Sequence, residues 1–227
     1  MTNAIITGGS RGLGLALAGA LVADGWRVVI DARTAAELAE AADRLGPAAV
    51  AVPGDLTDPA HRAELLAAAA ELGGLDLLVN NGGTLGPSPL PPVAALPLPE
   101  LRELYEVNVV APVALTQAAL PALRTAGGVL VFITSDAAVE PYQGWGGYGS
   151  AKAALERLAA GLAAEEPAVT VWTLDPGDLR TRMHQQAFPG EDISDRPLPA
   201  TVAPGLAAML AKRPASGRYR LADWQPS

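Results

Sequence analysis

The chain has 227 residues, 50% of them hydrophobic, which suits one α/β domain, residues 1–227, with a sizeable core. Its formal net charge of −8 argues against a nucleic-acid surface, which needs a basic patch. With no cysteine there is no disulfide framework, thiolate nucleophile or cysteine zinc site, and two histidines far apart, His61 and His184, give no reason to expect a metal.

Residues 3–7 read as a short apolar strand, followed by a glycine loop from Gly8 to Gly14. A helical pattern over 15–24 stops at Gly25, which fits a left-handed cap. The second strand is 27–31. Thr34 with Glu37 three residues on has the form of a capping box, opening a helix that Gly46 and Pro47 stop. Residues 48–52 are the third strand, and Asp58-Pro59 opens the next helix. The fourth strand, 75–79, runs into Asn80-Asn81-Gly82-Gly83 and a proline-rich loop over 84–99. A long helix over 100–124 should bend at Pro112. Residues 129–134 are the fifth strand, and a helix carrying Tyr148 and Lys152 runs to about 166. The sixth strand is 168–174. An irregular segment over 176–199, a helix over 201–212 and a short strand over 218–221 complete the chain. Apolar strands alternating with helices predict a doubly wound, Rossmann-type parallel sheet with helices on both faces.

Two patterns carry chemistry. Gly8-x-x-x-Gly12-x-Gly14 lies between the first strand and first helix, where glycines let backbone amides approach a pyrophosphate and the helix N-terminus favours its charge. Its spacing differs from G-x-G-x-x-G, and it lacks the Lys-Ser/Thr ending of a P-loop. Tyr148 and Lys152 stand four apart, hence on one helix face, and an ammonium beside a phenol favours the phenolate. A phenol tuned in this way can exchange a proton with a carbonyl or alcohol oxygen. Ser135 ends the fifth strand, where open α/β sheets bind ligands.

Thr7-Gly8-Gly9-Ser10-Arg11-Gly12-Leu13-Gly14, Asp55, Asn80-Asn81-Gly82-Gly83, Asn108, Ser135, Tyr148, Lys152 and Pro176-Gly177 follow one another in the order found in the short-chain dehydrogenase/reductase family. The chain resembles that family over residues 3–181, and more loosely beyond. The resemblance implies a nicotinamide cofactor held by Gly8, Ser10, Arg11, Gly12, Leu13 and Gly14. It implies Tyr148 as general acid/base, with Lys152 lowering its pKa and bonding the nicotinamide ribose. Ser135 would hold the substrate carbonyl, and Asn108 would position a water linking the lysine to solvent. It further implies Asp55 and Leu56 at the adenine, Asn80 and Gly82 beside its ribose, Pro176 and Gly177 against the nicotinamide, and Thr181 on the carboxamide or a phosphate. Where the family usually carries alanine this chain has Gly83, or Gly82 by another alignment. The stretch after Gly217 lacks the family's glycine-rich ending.

The family's NAD-selecting acid falls at Ala32, whereas Asp31 is one step early and so on the other face. Arg11 and Arg33 match a 2′-phosphate site, so NADP(H) is expected over NAD(H). The expected substrate is a small carbonyl compound, reduced to a secondary alcohol or formed from one. Tyr142, Trp145 and Met183 are candidate substrate contacts, and 178–200 a lid with His184 on its surface. A non-redox cyclase, dehydratase or isomerase on the same scaffold, and a nucleotide-binding sensor, stay open as alternatives. No apolar run reaches the roughly 18 residues of a membrane span and no signal peptide is apparent, so a cytoplasmic protein without membrane contacts is expected. The long helices resemble those by which the family forms homodimers and homotetramers.

Overall fold

A computed structural model describes residues 2–224. Seven strands form one parallel sheet: β1 (Asn3–Ile6), β2 (Arg27–Ala32), β3 (Ala49–Pro53), β4 (Leu77–Asn80), β5 (Val129–Ile133), β6 (Thr170–Asp175) and β7 (Gly217–Arg220). Their order is β3-β2-β1-β4-β5-β6-β7. The winding reverses between β1 and β4, and at such a reversal the strand ends open a crevice for ligands. The helices are α1 (Gly12–Ala23), α2 (Ala35–Leu45), α3 (Pro59–Glu71), α4 (Leu98–Tyr105), α5 (Ala111–Ala126), α6 (Gly146–Glu165), α7 (Arg182–Ala187), α8 (Pro199–Val202) and α9 (Pro204–Lys212).

Strand side chains alternate between two apolar layers. Ala4, Ile6, Val129 and Val131 pack with Leu17 of α1, Leu38 of α2 and Leu206 of α9. Ile5, Leu130 and Phe132 pack with Leu65 of α3, Leu115 of α5 and Leu155 of α6. Burying each large side chain contributes roughly 1.5–3 kcal/mol. Covering both faces is why the strands read as unbroken apolar runs.

Several element ends follow from single residues. Gly25 has φ +84 and closes α1, its N–H donating to Val22 O and the Trp26 N–H to Leu21 O. Asp58 caps α3 by accepting from the Ala60 N–H at 2.9 Å. The expected capping box of α2 does not form: Thr34 stands at the N-cap without a side-chain bond, because Glu37 turns to Arg11 at 2.6 Å. The expected single helix over 100–124 starts at Leu98 and is interrupted by a π-helical turn, Glu106–Val110. Pro112 has no N–H to return to the Asn108 carbonyl, so the helical register relaxes before the proline rather than at it. The segment over 176–199 is not wholly irregular, since it contains α7. The helix expected over 201–212 begins at Pro199 and is divided at Ala203, just before Pro204 opens α9.

The helical stretch Leu98–Ala126 is long and apolar enough to cross a membrane by length and composition alone, and half of its most apolar window is buried within the protein. Of the C-terminal stretch, residues 225–227 lie outside the described residues.

Candidate active site

A cleft of 1230 Å³ runs along the carboxyl ends of the strands, from Arg11, Arg33 and Asp55 at one end to Ser135, Tyr148 and Met183 at the other. Gly8, Ser10, Gly12 and Leu13 line its floor, and Gly8 and Gly12 have φ +67 and +57. Gly14 is not on the cleft wall. It lies behind the loop, where a Cβ would run into the Gly8 carbonyl oxygen. The loop is thus held open for an approaching backbone ligand by positions that admit no side chain.

The loop is also braced from beneath. Asp31 is buried, and its Oδ1 accepts from the Gly8 N–H at 2.7 Å. Its Oδ2 lies 3.0 Å from Nε2 of buried His61 on α3. The one-residue offset of Asp31 has therefore put it under the glycine loop. Thr7 Oγ1 accepts from the Asn81 and Gly82 amides, and the Asn81 side chain donates to the Thr7 and Gly8 carbonyls. Asn80, expected beside the cofactor ribose, turns its side chain away from the cleft. The Asn80 side chain donates to Thr116 Oγ1 of α5 at 3.1 Å and is absent from the cleft wall; Asn81, one residue on, lines it. Strand alternation turns the two side chains to opposite sides.

At the outer end the Asp55 carboxyl is held below the usual range by the Thr57 N–H bond at 2.9 Å, then by the Thr57 hydroxyl and the exposed Arg33. Arg11 is drawn towards Glu37. Leu56, Gly82, Pro176, Gly177 and Thr181 all border the cleft, and Thr181 caps α7 by accepting from the His184 N–H at 3.1 Å.

At the inner end Tyr148 and Lys152 occupy consecutive turns of α6 and are both buried. Lys152 Nζ lies 5.5 Å from the Tyr148 ring centroid and donates to the Ile133 carbonyl at 2.9 Å. Burial pulls the lysine down to about 8. The expected depression of the tyrosine is not found. Burial, then the carboxylates of Asp136 and Asp175, push the phenol above its ordinary value. Tyr148 is therefore a protonated phenol at neutral pH. Among the described residues no protein group hydrogen-bonds that hydroxyl, and Tyr148 lines the cleft. Ser135 Oγ donates to Asp136 Oδ1 at 3.0 Å and accepts from the Ala137 N–H. Asp136 Oδ2 in turn accepts from the Tyr142 hydroxyl.

Asn108 is buried in the π-helical turn, with both ends of its amide on Thr84: Oδ1 accepts from the Thr84 N–H at 3.0 Å and Nδ2 donates to Thr84 O at 2.8 Å. The side chain therefore clamps the loop after β4, and Asn108 lines the cleft together with Lys152. Gly83 is required beside it, because a Cβ there would sit 2.6 Å from Asn108 Oδ1.

Trp145 meets Tyr148 edge-on at 5.8 Å and Phe188 at 6.1 Å, and Phe188 stacks against His184 at 4.9 Å. With Met183 and Tyr142 they wall the inner end. His184, expected on the surface, has a side chain only 9% exposed, and its burial depresses its pKa. The sequence carries no signal for the bonds of Asp136 to Ser135 and Tyr142, of Asn81 to the glycine loop, or of His61 to Asp31.

The short chain dehydrogenase family pattern matches residues 2–192. The uncharacterized oxidoreductase YIR035C of Saccharomyces cerevisiae is 31% identical over 251 residues, 98% of each chain, and its crystal structure superposes with a TM-score of 0.87 over the full length of both. Sepiapterin reductase of Mus musculus is 35% identical over 81% of this chain and 76% of its own. An alcohol dehydrogenase from the archaeon Thermococcus sibiricus, solved with 5-hydroxy-NADP, has a TM-score of 0.85 at 27% identity, covering 100% of this chain and 99% of its own. With the glycine loop, the tyrosine–lysine pair and the parallel sheet all in place, the chain belongs to the short-chain dehydrogenase/reductase family of oxidoreductases.

Proposed function

We propose that the protein is an NADP(H)-dependent carbonyl reductase, interconverting a ketone and a secondary alcohol. The observation that carries this reading is the buried Tyr148, its hydroxyl free in the cleft and Lys152 one turn behind it. The glycine loop fits a dinucleotide pyrophosphate, since Gly8 and Gly12 line the cleft in the left-handed conformation and Gly14 lets the loop pack closely on the start of α1. The nicotinamide supplies or accepts the hydride when bound. The protein's own groups handle the proton and the developing charge.

In the direction of reduction, Tyr148, which carries its proton at neutral pH, donates it to the carbonyl oxygen. Ser135 steadies the same oxygen once its hydroxyl turns from Asp136 to the substrate, and the Lys152 ammonium offsets the phenolate left behind. The aromatic wall of Trp145 and Phe188 keeps water from the reacting carbon and suits an apolar or cyclic substrate. Arg33, exposed at the far end, is the group for a 2′-phosphate, while Asp31 is occupied beneath the loop and unavailable to select NAD. The T. sibiricus relative solved with an NADP derivative supports the same preference.

NADPH oxidation across a panel of ketones and quinones tests this reading. Tyr148→Phe should lower turnover by about 10²–10⁴-fold and leave NADPH binding intact. Substrate conversion without net change in NADPH would contradict the redox reading and favour a cyclase, dehydratase or isomerase.

A further inference from the structure

The last strand reaches the back of the active site. Arg218 of β7 donates through Nε to Glu156 Oε1 of α6 at 3.0 Å. Its Nη2 donates to Asp175 Oδ2 at the end of β6, at 3.0 Å, and to the Ser135 carbonyl at 3.3 Å. The arginine is one-third exposed, but the two carboxylates are only 17% and 6% exposed. Each carboxylate has a second duty. Glu156 Oε1 also accepts from Thr134 Oγ1 at 2.6 Å, and Asp175 Oδ1 accepts from the Gly177 N–H at 2.9 Å.

Three successive residues where β5 ends are thereby tied down: Ile133 by its carbonyl to Lys152, Thr134 by its hydroxyl to Glu156, and Ser135 by its carbonyl to Arg218. Glu156 is one turn beyond Lys152 on α6. We propose that Arg218 is a positioning residue of the active site, its guanidinium locking the end of β5, helix α6 and the Pro176-Gly177 turn into one charge-balanced unit behind Ser135, Tyr148 and Lys152. This rests on the reading of those three as the reacting group.

The charges facing Tyr148 and Lys152 are Asp136 after β5, Asp175 on β6, Glu156 on α6 and, through the two carboxylates, Arg218 on β7. Removing the guanidinium leaves Glu156 without its cationic partner, bonded only to the Thr134 hydroxyl, and takes a positive charge away. Both changes favour the ammonium.

The chain has only two lysines, Lys152 and Lys212, so side-chain isotope labelling gives two ammonium signals, with exposed Lys212 as internal reference. In the whole protein, the Lys152 signal should titrate near 8. In Arg218→Gln it should move up by about one pH unit, in Arg218→Lys stay near the wild type, and in Glu156→Gln move down. An unmoved Lys152 midpoint in folded Arg218→Gln overturns the proposal. If that variant does not fold, an unmoved midpoint in Glu156→Gln overturns it equally. The titration needs no turnover, so its failure is distinct from retained NADPH oxidation in Tyr148→Phe, which would sink the catalytic reading instead.

Discussion

Two ionisable side chains a turn apart, Tyr148 and Lys152, have been pushed in opposite directions by one cause. Burial disfavours the charged form of each, so the phenol rises and the ammonium falls. The lysine keeps its charge below about 8 and loses it as pH rises through that value. The tyrosine stays protonated over the same range. Reduction, which needs the phenol proton and the ammonium together, should therefore hold to about pH 8 and fall above it. A profile of kcat/KM against pH checks this, and a rate that climbs through 8 would mean that the phenolate is the working form. Asp31 works at the same scale. Asp31→Ala leaves the Gly8 N–H and His61 without their partner, at a cost of about 1–3 kcal/mol for buried groups. Calorimetry with NADPH should show weaker binding to Asp31→Ala and recovery in Asp31→Asn, whose amide oxygen can still accept from Gly8. Equal binding by all three proteins would mean that the carboxylate does not hold the loop.

Among the elements, the π-helical turn Glu106–Val110 has the clearest consequence. It presents Asn108 to Thr84 and leaves no room for a methyl group at Gly83. Gly83→Ala should displace Asn108 and cost about 1–3 kcal/mol, measurable by urea unfolding; an unchanged midpoint would show that the amide moves aside freely. This turn also marks what the sequence could convey. The alternation of strand and helix was legible because apolar runs and glycine or proline stops are local signals, and the glycine loop and the Tyr148–Lys152 spacing are local too. The π-helical turn was not, since Pro112 signals a disturbance without saying on which side the register gives way. Thr34 and Glu37 have the right spacing for a capping box, yet Arg11, distant in sequence, claims the carboxylate. Asn80 and Asn81 are the same residue type, and only the exact end of β4 decides which faces the cleft. A polar histidine on a short helix reads as exposed, and only the packing of Phe188, just beyond the end of α7, covers His184.

At the scale of the whole molecule, the parallel sheet gathers at one edge what the chain disperses. Ser135 after β5, Tyr148 and Lys152 on α6, the loop after β1 and the turn after β6 meet along a single cleft. Arg218, 62 residues beyond Glu156, joins them only because β7 pairs with β6. The segment bearing α7 closes over the inner end, held to the opposite rim by the Ser88 hydroxyl bond to the Gln186 carbonyl at 2.6 Å. The most direct measurement is a crystal structure of the protein with NADPH bound. The nicotinamide should lie beside the Tyr148 hydroxyl, with Lys152 reaching its ribose and Arg33 its 2′-phosphate. A dinucleotide seated with its nicotinamide away from Tyr148, or no dinucleotide on the glycine loop at all, would contradict the proposed chemistry.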